Sequence, residues 1–246
     1  MAVAVVFGAT IGSFLTVVAH RVPAGESIVR PGSACPHCGH QLRWRDNVPI
    51  VSWLVLRGRC GSCRARVSLR YPTLEASTAI AFGAVVAARG LEPWLALALP
   101  FAAVLIVIAF IDFERRIVPN KIVLAAALYA LPAWAVVDPG ALPEALVAGA
   151  GAFVAFLLIA LAYPAGMGMG DVKLAGVMGL FLGIEVIPAG FVAFLSGSVV
   201  GIMLVARGGV GERKRGVPFA PFLALGGLVA LLAGPEMVSL YSDHFL

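Results

Sequence analysis

Charge is what this chain has least of. Asp, Glu, Lys and Arg make up 13% of its 246 residues, about half of the ~25% usual for a soluble domain. That shortage excludes an ordinary soluble globular fold. Cysteine is scarcer still, with four residues, all between positions 35 and 63. Their confinement to one loop, expected to be cytoplasmic, disfavours structural disulfides. Several catalytic signatures are missing as well. There is no HExxH and no Ser-His-Asp set with a recognisable nucleophile context, and Gly168-Met169-Gly170-Asp171 lacks the Gly-Lys-Ser/Thr that would continue a P-loop.

What the chain has in abundance is apolar sequence, 61% of its residues, with a mean hydropathy of +0.98. The runs fall at about 2–19, 72–90, 94–111, 120–137, 144–163, 174–188, 189–206 and 217–233. Backbone that crosses lipid must satisfy its own hydrogen bonds, and helices do so within one segment. The expectation is an all-α polytopic membrane protein of about eight transmembrane helices. The stretch 174–206 is too long for one ordinary span, and Gly183 to Pro188 supplies a turn around Glu185. The first run lacks a basic n-region, so it reads as a retained helix rather than a secretory signal. Gly8 and Gly12 within it have the small-xxx-small spacing that admits a close neighbour helix. Residues 1–19 are thus expected to form the first transmembrane helix, 20–71 a small polar domain, and 72–246 a membrane helix bundle.

The net charge of +5 is unevenly placed. Residues 20–71 hold nine arginines against Glu26 and Asp46. A basic loop beside membrane segments is a positive-inside signal. With that loop in the cytoplasm, the connections 112–121, 164–173 and 207–216 fall on the same side and carry Arg115, Arg116, Lys121, Lys173, Arg207, Arg213, Lys214 and Arg215. Arg89 alone among the strong bases falls opposite, with Glu92, Asp138, Glu144, Glu185, Glu236 and Asp243. Both termini are therefore expected on the outer, periplasmic side. The partner implied is a phospholipid membrane, with His20 and Arg21 at its interface and Arg213-Lys214-Arg215 as a topogenic cluster. Arg43 and Trp44 alone make no aromatic recognition surface, so no nucleic acid is expected.

Within the polar domain, Cys35-Pro36-His37-Cys38 and Cys60-Gly61-Ser62-Cys63 form two CxxC pairs. Two such knuckles supply four thiolates to one tetrahedral Zn²⁺. Cys35, Cys38, Cys60 and Cys63 fill every position, which makes the expected site structural rather than catalytic. His37 and His40 are expected beside it and not as ligands. In a segment without an apolar core, bound metal contributes folding energy directly. A redox-active dithiol is the alternative for the same residues.

Two aspartates stand at the ends of apolar runs on the same expected side. Asp112 follows Phe101 to Ile111, and Asp171 follows Gly166-Met167-Gly168-Met169-Gly170 and begins the next run. Ionisable groups at membrane depth persist mainly where they face a protein interior or a water-filled cavity. Two carboxylates sharing such a site divide their roles, one protonated and one acting as base toward water. That division suits peptide-bond hydrolysis. Gly168, Gly170 and Lys173 form the loop around the second acid, where missing side chains would let a substrate backbone approach. The plainer readings are a helix cap for Asp171 and an interfacial ion pair with Arg115 or Arg116 for Asp112.

These residues carry a family pattern. Gly12-Ser13-Phe14-Leu15, Arg30-Pro31, the paired cysteines, Leu42 to Pro49, Ser52-Trp53-Leu54, Arg70-Tyr71-Pro72 with Glu75, Ile111-Asp112, Pro119, Gly168 to Lys173 and Pro218 to Ala224 occur in one order. The chain resembles the bacterial type IV prepilin peptidases (leader peptidase/N-methyltransferase), membrane aspartyl proteases with a GxGD motif. The resemblance implies that Asp112 and Asp171 are the catalytic pair of an inner-membrane enzyme. It implies prepilins or pseudopilins as substrates, cut on the cytoplasmic side after a glycine, for type IV pili or type II secretion. It also implies methylation of the new N-terminal residue with S-adenosylmethionine, although no residue pattern marks a pocket for that donor. Two positions depart from the family: Thr16 replaces an asparagine, and Ala220 replaces a glycine. Threonine lacks the paired donor and acceptor of a carboxamide. A peptidase without methyltransferase activity and a zinc-stabilised transporter or scaffold are the alternatives.

Overall fold

In the computed structural model, residues 1–164, 166–208 and 217–245 are described. The basic cluster 213–215 lies outside them. The described residues are all-α, with two isolated β-bridges and no sheet. The helices are α1 (Ala2–Ala24), the short α2 (Val51–Val55), α3 (Arg70–Arg89), α4 (Leu95–Arg115), α5 (Asn120–Val137), α6 (Leu142–Ala162), α7 (Met169–Leu182), α8 (Val186–Gly208) and α9 (Ala220–Phe245). Among them, six stretches are long and apolar enough to cross a membrane. One of the six is Met169–Arg207, 39 residues long and interrupted by a 3₁₀ turn at Gly183–Glu185. The protein is a multi-pass membrane protein. α3 is not among the six; Arg70, Glu75 and Arg89 lie within it.

The chain divides into two compact units, Met1–Ala87 and Ala88–Leu246. In the first, α1 and α3 meet at glycine. A Cβ on Gly8 would lie 2.8 Å from the Thr78 carbonyl oxygen, and one on Gly12 would lie 2.6 Å from the Cα of Glu75. Any larger residue would push the helices apart, so the small-xxx-small spacing has a steric reason. α1 runs five residues past the expected end. His20 and Arg21 continue it, and Gly25, in the left-handed region at φ 74°, stops it. Ile50 to Leu56, ambiguous from sequence, contains the one-turn helix α2.

In the second unit, α7 is the central helix. Its 14 residues span only about 21 Å, short of the ~30 Å hydrocarbon core, and ten of them are buried. Glycines bring α6 against it: a Cβ on Gly179 would sit 2.5 Å from the Ala148 carbonyl oxygen. Phe101 of α4 stacks on Phe181 at 4.6 Å. Trp134 Nε1 of α5 donates 2.7 Å to the Leu180 carbonyl, in the last turn of α7 where no intrahelical donor remains. Beyond Gly183 the chain turns into α8. α9 is interrupted at Ala233, just before Gly234-Pro235 and at the expected end of the last apolar run. Arg89 donates 3.1 Å to the Leu231 carbonyl and lies over the Trp94 ring.

Candidate active site and metal centre

Asp112 lies in the last turn of α4, which ends because Arg116 takes a left-handed conformation at φ 54°. Its side chain is 6% exposed. Oδ2 accepts a 3.2 Å hydrogen bond from the backbone N–H of Ala220, the first residue of α9. Asp171 is the third residue of α7 and is 8% exposed. Its Oδ2 accepts the N–H of Gly168 at 3.3 Å, so the helix-cap reading is correct as far as it goes. The two carboxylates are also close enough for their charges to interact, across 59 positions of sequence. Asp112 additionally feels the charge of Arg116. The N-termini of α7 and α9 thus bring their free amides to this pair, where helix dipoles favour negative charge.

The two glycines of the motif differ. A Cβ on Gly170 would fall 2.8 Å from the Cβ of Val118, so the chain leading into α5 passes too close for any side chain. Gly168 is not so constrained. Its φ is −81°, which any residue adopts, and a Cβ would have its nearest neighbour at 3.5 Å, Oδ2 of Asp171. The missing side chain at 168 therefore leaves open the approach to the carboxylate. Lys173 points elsewhere, donating 3.0 Å to Oδ1 of Asn120 at the start of α5. Sequence reasoning missed Ala220, Asn120 and Val118 as neighbours of this site. The traces of them were the pattern Pro218 to Ala224, which includes Ala220, and proline beside helix starts, at Pro119 and Pro218.

The four cysteines converge. Their sulfurs lie within 4.8 Å of one another, and Cys35 Sγ is 3.8 Å from Cys63 Sγ. A regular tetrahedron with Zn–S bonds of ~2.3 Å has edges of ~3.8 Å, so the donor set fits that ion. The knuckles match in backbone. Cys35 N–H bonds the His40 carbonyl and Cys60 N–H the Ala65 carbonyl, at 2.9 and 2.8 Å. Gly39 and Arg64 occupy equivalent left-handed positions, φ 69° and 60°. The N–H groups of Cys38 and His37 lower the Cys35 thiol to about 6. Cys63, although the Ala65 N–H favours its thiolate, is pushed up to about 11 by burial and the three neighbouring sulfurs. The four thiols therefore do not all ionise without a cation between them. His37 and His40 are not in the cluster.

A multi-pass helical membrane protein, with a four-cysteine cluster in one unit and two interacting buried carboxylates at the helix ends of the other, is the class so defined. A family model described as "Bacterial Peptidase A24 N-terminal domain" matches residues 6–89, and one described as "Type IV leader peptidase family" matches 99–206. The chain is 33% identical to a prepilin leader peptidase/N-methyltransferase of Bacillus subtilis, over 96% of this chain and 95% of the relative. Proteins of the same description from Myxococcus xanthus and Aeromonas hydrophila are 37% and 32% identical. They align with 88% and 98% of this chain and with 67% and 93% of their own lengths. This chain belongs to the bacterial type IV prepilin peptidase family. No solved structure matches it.

Proposed function

We propose that the chain removes the leader of type IV prepilins or pseudopilins at the cytoplasmic face of the inner membrane. It then N-methylates the exposed residue with S-adenosylmethionine. The observation that carries the reading is a pair of buried carboxylates, Asp112 and Asp171, at the ends of separate helices and near enough for their charges to interact. One takes a proton from the attacking water as its oxygen adds to the peptide carbonyl. The other gives a proton to the nitrogen as the C–N bond breaks. Each keeps one oxygen fixed by a backbone N–H, which orients the carboxyl without a second charge.

In this reading there are eight spans. α3 is one, and Met169–Arg207 provides two, separated by the turn at Gly183–Glu185. Both termini are periplasmic. Residues 1–19 begin the first span, 20–71 form the cytoplasmic domain and 72–246 the peptidase bundle. Cys35, Cys38, Cys60 and Cys63 hold Zn²⁺, which when bound supplies cross-linking of the two knuckles. The methyl donor supplies an electrophilic carbon on a sulfonium. The N–C bond forms, the C–S bond breaks with its electron pair left on sulfur, and the amine proton departs.

The test is intact-mass analysis of a cognate prepilin incubated with the full chain in nanodiscs, with and without S-adenosylmethionine. The expected result is leader loss plus one methyl mass, with no cleavage by Asp112→Asn or Asp171→Asn. Leader loss without methylation reduces the enzyme to a peptidase. Intact substrate overturns the reading.

A further inference from the structure

No side chain between Asp46 and Arg57 is ionisable, and α2 lies in that stretch. α2 has two sides. The inner side holds Trp53, whose Nε1 donates 3.2 Å to the Val67 carbonyl and whose ring packs on Gly58. This side borders a cavity that Glu75 also lines. The outer side is apolar and uncovered: Val51, Leu54 and Val55 are 55%, 60% and 74% exposed. The ten residues of the stretch are too few to span a bilayer, and an apolar run of that size fits an interfacial or re-entrant segment.

Packing inside the first unit fixes the depth of α2. α1 and α3 run antiparallel, with Gly12 of α1 against Glu75 of α3 and Gly8 against Ala79. Along α1, Gly12 lies eight residues before His20, the first ionisable side chain of that helix, a rise of about 12 Å. Glu75 Oε2 in turn accepts the Ile50 N–H at 2.7 Å. A glutamate side chain plus one hydrogen bond is shorter than that rise, so Ile50 lies deeper in the bilayer than His20. The five residues of α2 extend only about 7.5 Å further, so α2 ends no higher than the headgroup layer. Its backbone suits that depth. The N–H groups of Ile50, Ser52, Leu54 and Leu56 are taken by Glu75 and by carbonyls of the same segment, as a water-poor setting requires.

We propose that α2 is a re-entrant lipid anchor of the polar domain, its outer side covered by phospholipid acyl chains. The 3₁₀ turn Trp44–Asn47 packs against α2 and sets an indole, 80% exposed, beside it. Tryptophan favours the lipid–water interface. Arg43, Arg45 and Arg57 flank the segment and are exposed, which matches anionic headgroups. Asp46, the one acid among them, accepts the Arg43 N–H at 3.2 Å. At this depth acyl chains already surround α1, and the apolar side of α2 needs no other partner. The second knuckle starts at Cys60, three residues past Arg57. The anchor therefore holds the cysteine cluster at the membrane surface.

The test replaces Val55 by p-benzoylphenylalanine in the full chain, in nanodiscs of phosphatidylethanolamine and phosphatidylglycerol, and reads photoadducts by mass spectrometry. Val6, 67% exposed on α1, takes the same replacement as the lipid-facing control. Zinc content and thermal melting report folding. The expected product at 55 is an acyl-chain adduct, in a yield comparable with that at 6. A lipid adduct at 6 with none at 55 overturns the anchor, as does an adduct at 55 to a second copy of the chain instead of lipid. A second measurement leaves α2 unaltered and decides alone if the Val55 variant loses its zinc. The emission of Trp44, taken as the difference between wild type and Trp44→Phe, should lie to the blue of a water-exposed indole. It should also be quenched by lipids brominated near the headgroup. Unquenched emission at the wavelength of an indole in water overturns the proposal.

Discussion

The backbone N–H of Ala220 donates a 3.2 Å hydrogen bond to Oδ2 of Asp112. The start of the last helix thereby orients an acid that ends α4, 108 positions earlier. Asp171 is held in the same way by Gly168. An asparagine carbonyl oxygen accepts either bond, so Asp112→Asn and Asp171→Asn should melt within a few degrees of wild type. Cleavage should nevertheless fall by about 10²–10⁴-fold or more, since the proton transfers are gone. Alanine at 171 should in addition cost about 1 kcal/mol by removing the cap. Paired melting curves and cleavage rates check this, and an active asparagine variant would remove its aspartate from the mechanism.

Gly168→Ala and Gly170→Ala should separate access from packing. At 170 the new methyl meets Val118 at 2.8 Å, so the loop before α5 must move and stability should drop by about 1–3 kcal/mol. At 168 the nearest atom is the Asp171 carboxylate oxygen at 3.5 Å, so the fold should be kept. Cleavage should slow there, with KM rising, because the methyl occupies the approach to the acid. Denaturation profiles and steady-state kinetics of the two variants provide the comparison.

Trp134→Phe removes the indole N–H that satisfies the Leu180 carbonyl at the end of α7. Leaving this part-buried carbonyl without its donor should cost about 1 kcal/mol, the low end for an unsatisfied group. A lower melting temperature is expected while both knuckles stay intact. An unchanged melting temperature would mean that another donor takes the place of the indole.

The knuckles allow a test of backbone strain. A Cβ on Gly39 has no atom within 4 Å, yet φ is 69°. Gly39→Ala should therefore destabilise the polar domain by about 1 kcal/mol through conformation alone. Zinc release during chemical denaturation should shift to lower denaturant.

Metal removal should act at a distance. Chelation is expected to loosen residues 30–70, seen as faster amide exchange, and to lower cleavage indirectly because no cysteine belongs to the aspartate pair. Unchanged exchange and activity after verified zinc loss would end the structural role.

Much of the architecture was legible in local pattern. Each of the eight apolar runs overlaps one of the long helices or α7, although only six stretches, with Met169–Arg207 counted as one and α3 left out, are long and apolar enough to cross a membrane. The boundaries were less legible. α1 passes His20 and Arg21 because a helix end is set by a residue able to adopt left-handed backbone, here Gly25, and not by the first polar side chain. α7 begins at Met169, inside the polar motif, since its first turn is built by capping rather than hydropathy.

By itself, the sequence determined the membrane-embedded helical class, the two thiol knuckles and the presence of one acid at each of two helix ends. All of these follow from residue type and spacing along a short stretch. Only the tertiary structure decided that Asp112 and Asp171 come near enough for their charges to interact, that Val118 excludes a side chain at Gly170 but nothing excludes one at Gly168, that Ala220 orients an acid, and that Glu75 borders a cavity. Those facts depend on close packing between segments far apart in the chain, where glycines set how nearly the helices approach.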